Sequence, residues 1–314
     1  MIVTITLNPA VDRIMFVKDY AANRANRIYR RENCIGGKGA HVSWNLADLG
    51  QASIATGIAM GENGRQFINM LSDAGVSCSF LVGDGGETRT NYVLVEDNGN
   101  CTLICEKGPD LTETMRQTFL ALFGGLVFGA HYVVISGDAS NYSGETGSAF
   151  FEKLMRLCSD AGAKLVLDAN GQLLKEGVQL SPYLIKPNAE ELAELTGLPT
   201  DTEAAVIAAL KAAEAYQIPI IAVSLGGAGS IVRWENTLYR VWPAKVGVQN
   251  TVGCGDAYLA GLVFGLDGRR SPQDCLRLAA ACGSAEAENL LTVGLNADRV
   301  QALASQIRIT ELED

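Results

Sequence analysis

The sequence predicts an α/β protein with a mainly parallel central sheet flanked by helices on both faces, because short apolar runs alternate with stretches of helical periodicity along the chain. A second observation predicts a smaller sheet beside it: other runs alternate apolar with polar residues, and these fall between the core segments. Size is the third. The chain has 314 residues, 48% of them hydrophobic, which is ample for one large core or two smaller ones. No repeat or low-complexity block divides it.

Taken in order, the expected core strands are Ile2 to Leu7, Ala52 to Ala59, Tyr132 to Ser136, Lys164 to Leu167, Leu184 to Lys186 and Ile220 to Ser224. The helical stretches are His41 to Leu49, Gly64 to Ala74, Ser148 to Ala161, Ala189 to Leu195, Thr202 to Tyr216 and Ala257 to Leu266. Ile14 to Lys18, Ile28 to Cys34, Asn91 to Asp97 and Cys101 to Glu106 alternate instead, and Asp97-Asn98-Gly99-Asn100 provides a hairpin turn for the last two. An excursion of the main sheet is the other reading of these runs. Ligands in parallel α/β folds bind beyond the carboxyl ends of the strands. Asp12, expected in the loop after the first strand, Asn188 and the Gly226 to Gly229 turn therefore belong on one rim.

Charge narrows the function classes. With 25 Lys and Arg against 35 Asp and Glu, the formal net charge is −10, which argues against a nucleic-acid backbone or an anionic membrane as partner. A negative chain that handles phosphates must concentrate its cations, so Lys38, Arg89 and Lys186 are singled out. The eight cysteines show neither paired spacing nor a metal-ligand pattern and read as buried thiols. Met1 leads directly into a strand-like run, so no signal peptide is expected, and the protein is read as cytoplasmic.

The most informative stretch is Asn250-Thr251-Val252-Gly253-Cys254-Gly255-Asp256, a glycine-spaced turn opening onto an apolar helix. Free N–H groups at a helix start attract phosphate oxygens. Asp256 in that first turn is placed to accept a proton from an acceptor hydroxyl. Helix capping alone would also explain it.

This segment resembles the second signature of the PfkB, or ribokinase-like, carbohydrate kinases. Thr6-Leu7-Asn8-Pro9-Ala10-Val11-Asp12 is similar to the opening of the hexose-phosphate branch, the 1-phosphofructokinase and tagatose-6-phosphate kinase group. Gly36-Gly37-Lys38-Gly39 resembles the first signature, and Lys186-Pro187-Asn188-Ala189-Glu190-Glu191 the Asn-x-x-Glu magnesium motif. The resemblance implies one ribokinase-like domain over residues 1–314, with a β-sheet lid drawn from about 11–35 and 88–107, often paired with a second subunit's lid. It also implies ATP and Mg2+ as cofactors, a sugar phosphate as acceptor and a homodimer.

The site residues follow by motif. Gly253, Cys254, Gly255 and Asp256 would form the catalytic turn, with Asp256 as base. Asp12, Gly36, Gly37, Lys38, His41, Arg89 and Ser136 would face the sugar, Arg89 gripping its phosphate with a planar fork. Lys186, Ser224, Gly226, Gly229 and Thr251 would serve the nucleotide. Asn188 and Glu191 would serve magnesium, although their spacing alone makes a capping box that needs no metal. For the glycine turn after Ser224, a structural hairpin is the competing view.

Departures concentrate on the acceptor half. His41 stands where the first signature has asparagine, and Ser136-Gly137-Asp138-Ala139-Ser140 lacks the usual Ser-Gly-Ser-Leu-Pro. Cys254 replaces a usual alanine or serine, and Asn250 a common aspartate. A kinase for an unphosphorylated sugar or a nucleoside, and a catalytically silent sugar-phosphate sensor, are the alternatives.

Overall fold

The computed structural model describes residues 1–137 and 145–312. Its strands are β1 (Ile2–Thr6), β2 (Ala10–Val17), β3 (Ile28–Gly36), β4 (Ser53–Met60), β5 (Ser77–Gly83), β6 (Arg89–Glu96), β7 (Cys101–Cys105), β8 (Tyr132–Ser136), β9 (Lys164–Asp168), β10 (Leu184–Ile185), β11 (Ile220–Ser224), β12 (Ser230–Trp234), β13 (Thr237–Trp242) and β14 (Arg308–Leu312). The helices are α1 (Lys38–Asp48), α2 (Gly61–Asp73), α3 (Glu113–Val127), α4 (Glu145–Asp160), α5 (Gly171–Gly177), α6 (Ala189–Thr196), α7 (Glu203–Ala212), α8 (Cys254–Asp267), α9 (Pro272–Glu286) and α10 (Ala297–Ala304).

Ten strands form one sheet in the order β14-β13-β12-β11-β10-β9-β8-β1-β4-β5. Neighbours from β5 to β11 run parallel, and β12, β13 and β14 continue antiparallel. Central strands bury both faces, which is why β1 and β8 are buried along their whole length and mostly apolar, with Thr4 bonded to Ser43. One core lies against α3, α4 and α7, with Phe119, Phe123, Leu154 and Leu210 at its centre. The opposite core packs α1, α8 and α9 through Leu46, Leu262 and Leu276.

The second sheet has the order β3-β2-β6-β7. It consists of two antiparallel pairs, β2–β3 and β6–β7, joined by a parallel contact between β2 and β6. Its inner face packs Val11, Ile14, Ile35, Val93 and Val95 against Phe67 and Leu71 of α2. Ile28, Tyr29, Tyr92, Leu103 and Ile104 of this sheet are exposed, with Tyr92 and its partner Ile104 on the outer face.

Several local expectations are corrected. Asp12 is not in a loop: it sits inside β2, opposite Cys34 on one side and Asn91 on the other. The strand starts at Ala10 because ladder bonds to both neighbours continue past the point where the apolar alternation stops. The glycine turn after Ser224 joins antiparallel strands, with Ser224 opposite Ser230, so it is a hairpin. Thr202 caps α7, which ends at Ala212 and gives way to a 3-10 turn closed by Gln217 at φ 55°. The strand and helix signals in the sequence do not include β5, α3, α5, α9, α10 and the antiparallel edge. Of these, α9 carries a readable start, Ser271 before Pro272, with the serine hydroxyl accepting from Asp274 N.

Candidate active site

The carboxyl ends of β1, β8, β9, β10 and β11 lie along one rim, since Thr6 is level with Ser136 and Ser136 with Asp168. The α8 N-terminus reaches the same rim. Gly253 caps that helix with φ 86°, and a Cβ there would run into the carbonyl oxygen of Thr292, so only glycine fits the turn. Asn250 ties the turn down. Its Oδ1 accepts from Val252 N at 3.0 Å, and its Nδ2 donates to the carbonyls of Leu290 and Leu291.

The donors of this turn are fewer than expected. Asp256 N and Ala257 N both donate to the Gly253 carbonyl, at 3.0 and 2.9 Å, and Cys254 N lies 3.5 Å from Thr251 O. The N–H groups of Gly253 and Gly255 donate to no acceptor among the described residues. Helical bonding begins at Cys254, so the Asp256 amide is already inside the first turn. Two glycine amides and the helix dipole are suited to receive an anion. The Cys254 thiol is pushed up to about 12, chiefly by burial, so it stays a packing group rather than a nucleophile.

Asp256 is 6% exposed and its Oδ2 lies 2.7 Å from Nδ1 of His41. The other ring nitrogen, Nε2, is 3.0 Å from the Ile35 carbonyl. Burial works against a charge on this imidazole, yet the hydrogen bond and charge of Asp256, with help from Asp12, raise it to about 9. Asp12, 2% exposed, accepts from Asn91 Nδ2 at 2.8 Å and from Thr292 Oγ1 at 3.4 Å. Burial raises its carboxyl against the opposing effects of His41, Asn91, Arg89 and Thr292. A Cβ on Gly36 would overlap Oδ1 of Asp12, which explains the glycine in terms of that carboxylate. His41 thus bonds directly to the carboxylate that the sequence assigned to catalysis and feels the charge of the one assigned to the sugar.

A second charged cluster was not anticipated. Asp168, at the end of β9 and 1% exposed, has Lys186 Nζ at 3.3 Å and Lys38 Nζ at 3.7 Å from its Oδ1, while Ser136 Oγ donates to its Oδ2 at 3.1 Å. The lysine contacts are charge pairs rather than aligned hydrogen bonds, for Oδ1 has no hydrogen-bond partner. Burial alone would raise this carboxyl; Lys186 and then Lys38 hold it below the usual carboxylate range. Asp168 in turn raises Lys38. Lys186 Nζ is 3.4 Å from where a Cβ on Gly255 would lie, so this cluster adjoins the α8 turn. The signal that could have found Asp168 is its position as a carboxylate ending an apolar run.

The remaining expected residues are placed as follows. Arg89 is 7% exposed and donates to the carbonyls of Asn8 and Glu106, at 3.3 and 3.2 Å. Gly37 caps α1, and its carbonyl accepts from Ala40 N and His41 N. Ser224 bridges to Asn188, which brings the β11 hairpin with Gly226 and Gly229 beside the α6 start. Thr251 is exposed on the turn. Asn188 and Glu191 form the full capping box: Asn188 N donates to Glu191 Oε2 at 2.9 Å, and Glu191 N to Asn188 Oδ1 at 2.8 Å. The Asp138-Ala139-Ser140 departure lies outside the described residues.

Among the described residues no group of three or more His, Cys, Asp or Glu is arranged to hold a metal. Glu191 keeps one carboxylate oxygen outside the box, and its charge acts on Lys38. That donor set fits magnesium carried mostly by phosphate oxygens and water.

A helix-start carboxylate under a separate β lid, on the rim of a doubly covered α/β sheet, defines a ribokinase-like phosphotransferase. The chain belongs to the pfkB family of carbohydrate kinases, whose profile matches residues 2–295, and it is an ATP-dependent sugar kinase. Similar solved structures include a protein from Staphylococcus aureus provisionally described as a phosphofructokinase, 29% identical, TM-score 0.81, covering 100% of this chain and 99% of that one. One from Thermotoga maritima, provisionally described as a 1-phosphofructokinase, is 26% identical, with TM-score 0.88 and full coverage of both chains (100% and 100%). Phosphofructokinase-2 from Escherichia coli, 24% identical with TM-score 0.89 over 97% of this chain and 98% of that one, shares the fold. No helix among the described residues is long and apolar enough to cross a membrane.

Proposed function

We propose that this kinase phosphorylates an already phosphorylated ketohexose, such as fructose 1-phosphate, fructose 6-phosphate or a tagatose phosphate, to the bisphosphate, with Asp256 as general base. The observation that carries it is the convergence on His41 of Asp256 from α8 and Asp12 from the lid. An acceptor held by Asp12 then lies within reach of the carboxylate beside the anion-binding turn. The 26% identity with the Thermotoga maritima protein and the motif set around Arg89 support the phosphorylated acceptor.

In the reaction, the acceptor O–H bond breaks and its proton passes to Asp256 while that oxygen bonds to the γ-phosphorus. The bond from phosphorus to the β–γ bridging oxygen breaks, and ADP leaves. The Gly253 and Gly255 amides receive the charge on the transferring group. Lys186 and Lys38, held by Asp168, offer ammonium groups to the triphosphate. Asn188 and Glu191 at the α6 start would hold magnesium through water and phosphate oxygens, and the ion would supply charge neutralisation for the departing nucleotide. The protein is read as cytoplasmic, and as a homodimer through the apolar outer face of the lid.

One observation favours a second reading. Arg89 already donates to the carbonyls of Asn8 and Glu106, and an arginine bound to backbone suits an unphosphorylated acceptor equally. A coupled ATPase screen decides between them, with sugar phosphates, free sugars and nucleosides as acceptors. Turnover confined to sugar phosphates is expected. Turnover with free sugars or nucleosides alone establishes the second reading, and binding without turnover identifies a sensor.

A further inference from the structure

His41 has acceptors at both ring nitrogens. The Ile35 carbonyl, 3.0 Å from Nε2, can only accept, so Nε2 carries a hydrogen. The 2.7 Å contact between Nδ1 and Asp256 Oδ2 then needs a proton of its own. A neutral imidazole beside a free carboxylate would set two lone pairs against each other. The groups facing this ring come from several elements: Asp256 on α8, Asp12 on β2 and Glu286 on α9, with Lys38 acting on Asp256 and Arg89 on Asp12. Glu286 is fully buried, and its Oε1 lacks a hydrogen-bond partner. Burial pushes its carboxyl up to about 7, and the nearby His41 charge opposes that. The imidazole is therefore the cation at the centre of a buried acidic group.

We propose that His41 is a positioning residue for phosphoryl transfer: it shares one proton with Asp256, holds Oδ2 of that carboxylate in place and leaves Oδ1 to the acceptor hydroxyl. This rests on the reading of Asp256 as base. Loss of the shared proton at alkaline pH removes the clamp and leaves Asp256, Asp12 and Glu286 around a neutral ring. Turnover then falls as pH rises and His41 gives up its proton. The raised basicity of His41, about 9, puts that fall on the alkaline side of neutrality.

The chain has two histidines, and the side chain of the other, His131, is 64% exposed. That makes the ring directly observable. In full-length protein labelled with 15N-histidine and carrying His131→Asn, both His41 nitrogens should show the protonated pattern at pH 8, and Asp256→Asn should abolish it. A His41 ring that is neutral at pH 7 overturns the proposal, and this measurement needs no turnover, so it is independent of the kinase reading. Kinetics supply the second arm. His41→Asn should lower kcat by about 10²-fold, the order expected for a displaced catalytic group, with KM for ATP within a few-fold and no alkaline limb near pH 9. An unchanged alkaline limb in His41→Asn, or equal losses in kcat and in ATP affinity, would reduce His41 to a packing residue.

Discussion

The two sides of the site are built differently. On the proposed nucleotide side, Asp168 and Lys186 stand at the ends of central parallel strands, and the α8 turn is locked by glycine and Asn250. On the acceptor side, Asp12, Asn91 and Arg89 belong to a separate small sheet and are already satisfied by one another or by backbone carbonyls. In the proposed reaction, groups fixed by a ten-stranded sheet would hold the transferring phosphoryl in one geometry. Groups on the small sheet would have to exchange partners for a sugar to enter, so in the proposed reaction acceptor choice rests with the element that can change.

The largest break in this comparison should come from Asp256→Asn. General-base help is worth about 10² to 10⁴ in rate, so kcat should fall by that order with the KM for the sugar little changed. Near-normal turnover in initial-rate assays would remove Asp256 from the base role. Next is Arg89→Ala. Hydrogen bonds to a charged group contribute about 1.5–3 kcal/mol, so the KM for a phosphorylated acceptor should rise roughly 10- to 100-fold, while the KM for ATP stays put. Equal losses for phosphorylated and free sugars would show that Arg89 braces the lid rather than reading phosphate.

A smaller effect concerns pH and folding. His41 is raised from 6.5 to about 9 by its carboxylate partners, so the native state holds this proton more tightly than the unfolded chain. Its contribution to stability is complete below about pH 6.5 and is lost as pH rises through about 9. Melting temperature should decline across that window in the unmodified protein and decline less in His41→Asn; parallel curves would refute the assignment. The smallest kinetic effect is expected from Tyr29→Ser with Ile104→Ser on the outer lid face. Sedimentation should show dissociation of a dimer with kcat within a few-fold, and an unchanged mass would place any self-association elsewhere.

How much of this was legible follows from the physics of each signal. Central strands such as Ile2–Thr6 and Tyr132–Ser136 are mostly apolar because both faces are covered, and that pattern is local. The Gly253 turn was readable because its backbone angle and the Thr292 carbonyl admit nothing larger. Asn188 and Glu191 were readable as a box, and they form one. Asp168 was not, since its meaning comes from two lysines 130 and 18 positions away along the chain, which is the difference in their numbers from 168. The His41–Asp256 contact joins residues 215 apart, so sequence showed the unusual histidine and not its partner. The last edge strand escaped because β14 pairs with β13 only after the whole α8–α10 layer has intervened.

Residues 290–292 form a shared keystone. Their carbonyls receive Asn250 and wedge against Gly253, while the Thr292 hydroxyl reaches Asp12. A short stretch of backbone that touches neither reactant in the proposed chemistry thereby bears on both halves at once. Displacement of Asp12 by an arriving sugar would be felt, through Thr292, at the amides that await the phosphoryl group, so occupancy on one side can tune readiness on the other without any large movement of the lid.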